Sequence, residues 1–216
     1  MKKRDIIIII LLLLLFISML LLYAFDITWF DDGIYNFIIS FRCNILDRYF
    51  SVVTHLGDTK VIGILTVICL VLFNKKDKIF LLISVGGGTL INVLLKKIIC
   101  RARPDHIRLI KQGGYSFPSG HSMITVCFYI LLMYLIMKKV KNKYLKVISM
   151  VMLSIIVITI PISRIYVGVH YPTDVIAGLC LGGIVLILSI NCIKAVGGVF
   201  DEKSHSKQIV QRLKRL

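Results

Sequence analysis

The sequence predicts an all-α fold, a bundle of six transmembrane helices with an interfacial helix in the first external loop. Three observations carry that prediction. Of the 216 residues, 57% are hydrophobic, a share beyond that of ordinary soluble domains. These residues gather into runs of the length needed to cross a hydrocarbon layer, about 20 residues of helix for about 30 Å. No linker, low-complexity tract or long repeat divides the chain, so residues 1–216 read as a single integral-membrane domain.

The first run, Ile6 to Phe25, follows Lys2, Lys3 and Arg4. It is longer than the apolar region of a signal peptide and lacks a small-residue cleavage site, so it reads as a retained span. In the connection from Asp26 to Asp58, Ile34, Phe37, Ile38, Phe41, Ile45 and Leu46 recur at helical spacing, with Asn36, Ser40, Arg42 and Asn44 between them. That pattern predicts a helix lying at the membrane surface, where it either roofs a site and admits a lipid sideways or rests among headgroups. Five further spans follow, Thr59 to Phe73, Ile79 to Leu95, Ser122 to Met137, Leu145 to Ile162 and Val175 to Ile193, each bounded by charges or by Gly and Pro. Gly86, Gly87 and Gly88, and the pair Gly178 and Gly182, fall inside spans and predict close helix packing.

Six spans put both termini on one side, and basic residues say which. Lys2, Lys3, Arg4, Lys75, Lys76, Lys78, Lys138, Lys139, Lys141, Lys143, Lys146, Lys194 and the tail from Lys203 to Arg215 mark a cytoplasmic face by the positive-inside rule. The opposite face carries Arg42, Arg48 and Lys60, then a local concentration from Lys96 to Lys111 together with Arg164. The net charge of +16 thus follows from cytoplasmic loops facing anionic lipid, and no basic patch interleaved with aromatics suggests nucleic-acid binding. Cys69, Cys127, Cys180 and Cys192 lie in apolar runs as small hydrophobes, which leaves only Cys43 and Cys100 toward an oxidising exterior.

Three stretches, Lys96 to Pro104, Pro118 to His121 and Ser163 to Asp174, concentrate chemistry on that outer face. Lys96, Arg103 and Arg164 are like charges that need an anion among them. Arginine forks and a lysine point charge together suit a tetrahedral dianion, although any one of them alone reads as a snorkelling side chain. Ser119 has the chemistry of a helix N-cap, and Gly120 lets backbone N–H groups approach an anion. His170 and Asp174 stand four residues apart around Pro172. At that spacing the carboxylate can accept one imidazole N–H and leave the other nitrogen as a nucleophile; an isolated pair of this kind is more often structural. His121, at the mouth of the neighbouring helix, can protonate a leaving alkoxide. His121, His170 and Asp174 are also possible zinc ligands, but Lys96, Arg103 and Arg164 would repel the cation, so neither metal nor cofactor is expected.

Lys96 with Arg103-Pro104, then Pro118-Ser119-Gly120-His121, then Ser163-Arg164 with His170 and Asp174 resemble the three motifs of the type 2 phosphatidic acid phosphatase superfamily of membrane lipid phosphatases, complete and in order over residues 96–174. The resemblance implies a lipid phosphate or diphosphate substrate, attack by His170 to form a phosphohistidine, orientation of His170 by Asp174, and protonation of the leaving group by His121. It also implies that Lys96, Arg103, Ser119, Gly120 and Arg164 hold the phosphoryl oxygens. The contexts Tyr115 to Ser122 and Ser163 to His170 resemble small bacterial members acting on phosphatidylglycerophosphate or undecaprenyl diphosphate at the outer side of the cytoplasmic membrane. Arg101, His106, Arg108 and Lys111 could hold the second phosphate of a diphosphate, or equally meet headgroups or glycerol oxygens. Vanadate haloperoxidases share the constellation but are soluble. A non-catalytic lipid-headgroup-binding or transport protein is the other alternative, and it would need neither nucleophile nor acid.

Overall fold

The computed structural model describes residues 1–213, with side chains described through residue 193. Every regular element among the described residues is helical. Five helical stretches are long and apolar enough to cross a membrane: α1 (Lys3–Ala24), α5 (Lys75–Ile99), the stretch Gly120–Lys139, α8 (Lys143–Tyr166), and the portion Pro172–Ile193 of α9 (Pro172–Leu213). These match five of the six predicted runs.

The second predicted span departs from expectation. Helix α4 (Thr59–Leu72) has 14 residues, about 21 Å at 1.5 Å per residue, short of a hydrocarbon core of about 30 Å. It passes as a crossing only when joined to α3 (Asn44–Val53) and its 3₁₀ turn Thr54–Gly57, with a bend of 53°. Asp58, in extended conformation, makes the break. The segment expected as one surface helix is likewise two, α2 (Trp29–Ile39) and α3, parted by an extended Cys43. The break brings Arg42 inward, where it donates to the carbonyl of Tyr166 at 2.8 Å, while the Tyr166 hydroxyl donates to Asp47 at 2.6 Å.

Helix α9 is the hub. It packs against α1, α5 and the fourth crossing, which consists of α6 (Gly120–Ile124), a π-helical segment Thr125–Ile130 and α7 (Leu131–Lys139). Close approach depends on missing side chains: a Cβ on Gly182 would stand 2.7 Å from the Met123 carbonyl oxygen and 2.8 Å from Val126 Cβ. Gly88 sits under Cys127 Sγ in the same way, whereas a Cβ at Gly86 would meet nothing within 4 Å, so the glycine triplet serves packing through Gly88. The wide π turn exposes carbonyls, and Ser84 Oγ donates to that of Cys127 at 2.9 Å. Phe80, Leu81, Met123, Phe128, Leu131 and Ile160 fill the core between these helices. Ile7, Leu11 and Leu14 of α1 point outward and stay exposed, as a lipid-facing stripe at helical spacing does.

Lys139 pairs with Asp77 where α5 begins and α7 ends, and the motif residues collect at the opposite end, where α5 and α8 finish and α6 and α9 start. The basic tail from Lys203 to Arg215 lies outside the described side chains. Cys43 and Cys100 carry free thiols.

Candidate active site

Helix α5 ends at Cys100 in a left-handed conformation (φ 53°), and residues 101–119 then fold back over the helix ends. Basic side chains organise this loop by donating to its carbonyls. Lys96 Nζ reaches the Tyr115 and Ser116 carbonyls at 2.5 and 3.0 Å, and Arg103 Nε those of Gly113 and Gly114 at 3.1 and 2.9 Å. Carbonyls satisfy hydrogen bonds without cancelling charge, so the cations remain available to an anion.

The α8–α9 turn supplies His170, 1% exposed, whose Nδ1 lies 3.1 Å from Asp174 Oδ2. Arg103 Nη1 donates to the Val169 carbonyl at 2.7 Å and stands 3.1 Å from His170 Nε2. A guanidinium only donates, so Nε2 presents its lone pair and Nδ1 carries the proton that Asp174 accepts. Burial, and then Arg164, Arg103 and Lys96, hold this imidazole well below its ordinary pKa of 6.5, hence neutral. Burial also lowers Arg103, to about 10, which leaves it charged at neutral pH.

Arg164 is fully buried at the end of α8. Its Nη1 donates to Thr54 Oγ1 at 2.6 Å and its Nη2 to Gln112 Oε1 at 2.8 Å, while its buried Nε has no partner. An orphaned buried guanidinium donor is costly unless a ligand completes it.

These groups meet in one cavity of about 390 Å³. Lys96, Arg103, Gly120, His121, Arg164 and His170 line its polar end, and Ile62, Thr66, Val85 and Gly88 carry it down between α4 and α5. Asp174 stands behind His170, wholly buried. Ser119 caps α6 as its chemistry predicts: its hydroxyl accepts from the Ser122 backbone N–H at 3.4 Å and from Ser122 Oγ at 3.0 Å, and Ser119 does not line the cavity.

Sequence reasoning missed the support behind Asp174. Arg101 Nη1 donates to Asp174 Oδ1 at 2.8 Å and to Thr173 Oγ1 at 2.7 Å, and its Nη2 donates to Asp31 Oδ2 at 2.9 Å. Asp31, on α2, also accepts from the Thr173 backbone N–H at 2.8 Å. Tyr23 and Tyr171 flank the guanidinium, with ring centroids 4.7 and 3.8 Å from its carbon. Ser116 Oγ donates to Asp174 Oδ2, which also accepts from the Tyr171 N–H at 2.9 Å. Asp31 stands four residues before Tyr35 on the buried face of α2, and a charged residue on that face was the available signal.

The residues expected to hold a second phosphate are placed otherwise. Arg101 belongs to this buried network and does not line the cavity. Arg108 donates to the Pro104 carbonyl at 2.6 Å, His106 stacks on Tyr35 at 3.7 Å, and Lys111 lines a neighbouring depression with Arg108 and Gln112.

A sequence profile of the PAP2 superfamily matches residues 77–197, which include all three motifs. The chain belongs to the PAP2 superfamily. Among PAP2 relatives, phosphatidylglycerophosphatase B of Bacillus subtilis (strain 168) is 34% identical over 179 residues, covering 80% of this chain and 84% of that protein. The undecaprenyl-diphosphatase of Sulfolobus acidocaldarius is 29% identical over 146 residues, 65% of this chain and 63% of that protein. The crystal structure of a transmembrane PAP2-type phosphatidylglycerolphosphate phosphatase from Bacillus subtilis superposes with a TM-score of 0.74 at 29% identity, covering 94% of this chain and 98% of that one. The PAP2 profile begins at Asp77, so Asp31, Thr54 and Asp58 reach the PAP2 site from the preceding part of the chain.

Proposed function

We propose that this PAP2 protein is a phosphatase that removes the terminal phosphate of a membrane lipid, phosphatidylglycerophosphate in the first place and undecaprenyl diphosphate in the second, through a phosphohistidine and without a metal ion. One observation carries the reading: His170 offers an Nε2 lone pair to a cavity lined by Lys96, Arg103 and Arg164. Nε2 attacks phosphorus and the bond to the lipid oxygen breaks as that oxygen takes a proton from His121. Water, deprotonated by His121, then attacks the phosphohistidine and frees inorganic phosphate, which restores both histidines. Asp174 holds the His170 proton at Nδ1 throughout, and the three cations balance the charge on the phosphoryl oxygens.

The order of substrates rests on Arg101 and Arg108, which donate to Asp174, Asp31 and the Pro104 carbonyl and leave Lys96, Arg103 and Arg164 around one phosphoryl group, so a terminal phosphate set apart from the next by glycerol suits the cation set better than two directly linked phosphates. Metal independence is supported by the separate engagements of the two histidines: His170 with Asp174, His121 with Asp58. Helix α2 would lie at the outer membrane surface above the site and α3 would lead into the crossing completed by α4, with the termini cytoplasmic and residues 1–216 working as a single domain.

Purified full-length protein in detergent with a chelator should release phosphate from phosphatidylglycerophosphate faster than from undecaprenyl diphosphate or phosphatidate. Loss of activity on chelation would overturn the metal-free mechanism, and lipid binding without phosphate release would favour a headgroup-binding protein. For sidedness, a Lys111→Cys variant should react with an impermeant thiol reagent in intact cells. Labelling only after lysis would place the site on the cytoplasmic face.

A further inference from the structure

The turn Thr54–Gly57 and Asp58 form a second histidine–carboxylate arrangement, on His121, which lines the same cavity as His170. Asp58 Oδ1 lies 2.9 Å from His121 Nε2, and its Oδ2 lies 2.7 Å from Nδ1 of His55, whose side chain is 60% exposed. Asp58 occupies the N-cap position of α4, where an aspartate ordinarily accepts backbone N–H groups of the first turn. Here it makes no such bond, and both oxygens are turned to histidines. The His121 ring also needs room on that side: a Cβ at Gly57 would stand 2.7 Å from its Cδ2. Tyr129 buttresses the turn by donating to the Leu56 carbonyl at 2.8 Å.

We propose that Asp58 is the positioning residue for the proton donor: it binds His121 Nε2, favours the imidazolium form, and turns Nδ1 toward the leaving oxygen, with His55 linking Asp58 to the aqueous face. The Cδ2–Nε2 edge of His121 lies against Gly57 and Asp58, and Nδ1 has no hydrogen-bond partner among the described residues. In the first step the Nδ1 proton passes to the lipid oxygen as its bond to phosphorus breaks. The ring, now neutral, takes a proton back from water in the second step. Asp58 gains no proton in either; it stabilises the charged ring before the first step and again after the second. The assignment rests on the phosphatase reading above, and its test depends on how much a leaving group needs a proton.

Full-length protein in detergent is given dioctanoyl phosphatidate, whose alcohol leaves poorly, and para-nitrophenyl phosphate, whose phenolate departs unaided. The burst of alcohol or phenolate release, which precedes water attack, is measured for each. Asp58→Asn should slow the phosphatidate burst about 100-fold, the range of a lost acid catalyst, and the aryl burst by less than about 3-fold. Gly57→Ala, which displaces the ring and keeps the carboxylate, should show the same selective loss. Equal slowing of both bursts by both variants would make the turn merely structural, and unchanged bursts would remove Asp58 from the reaction; either overturns the proposal. Wild-type protein that releases alcohol from neither ester would overturn the phosphatase reading itself, and this assignment with it.

Discussion

Replacing His170 with alanine should lower phosphate release by about ten-thousand-fold or more, the scale on which enzymes lose activity when a covalent nucleophile is removed. The imidazole of His170 is buried in the cavity lining, and its Nε2 lies 3.1 Å from Arg103 Nη1, so its lone pair stands where the cations would hold a phosphoryl group. Wild-type protein quenched during turnover of radiolabelled lipid phosphate should carry an acid-labile label that His170→Ala lacks. Phosphate release that survives the substitution would sink the nucleophile. The same variant has a stability signature. Folded His170 is held neutral, so below the ordinary value of 6.5 the unfolded chain binds a proton that the folded one refuses. Its contribution is therefore intact above pH 6.5 and declines as pH falls toward the depressed folded value. Between about pH 7.5 and 5.5, His170→Ala should lose less thermal stability than the wild type.

Arg101→Leu should be nearly as damaging, by a different route. It leaves two buried carboxylates, Asp31 and Asp174, without their shared cation. Breaking a buried pair by removing one partner costs about 3–5 kcal/mol, because the remaining charge stays desolvated. The protein should unfold at markedly lower temperature, and whatever remains folded should turn over slowly, since Asp174 then holds His170 less firmly. Adding Asp31→Asn to Arg101→Leu removes one of the stranded charges and should restore part of the thermal stability, a coupling that a double-mutant cycle measures. Additive effects would show that Arg101 and Asp31 do not act as a unit.

How far this site was legible follows from what each residue bonds to. Lys96, Arg103, His121, Arg164 and His170 were readable because they stand at motif positions, and the fold brings all five to one cavity. The His170–Asp174 bond was readable because a spacing of four residues at a helix start brings the groups together locally. Asp31 and Asp58 were not, since their partners lie 142 and 63 residues away along the chain. The periodicity that marked residues 34–46 as one helix is a local signal, and it could not show the extended Cys43 at which the chain breaks and Arg42 meets the distant Tyr166 carbonyl. The run Thr59 to Phe73 was placed correctly as α4 but is too short to cross alone, and hydropathy could not see that α3 joins it across a 53° bend at Asp58.

The sequence by itself determined that this is a helical membrane protein of the PAP2 superfamily, with its cations and histidines at one end of the bundle. Length, hydropathy and motif spacing are properties of neighbouring residues, and the bilayer enforces them whatever the chain does elsewhere. Only the tertiary structure decided which charges face the cavity and which are held behind it. Arg101 and Arg103 are two residues apart and chemically identical, yet one is bound by Asp31 and Asp174 and the other borders the cavity beside His170. The difference is that Arg101 meets two buried carboxylates, whereas Arg103 meets only carbonyls and His170 among the described residues, a distinction that only the folded chain provides.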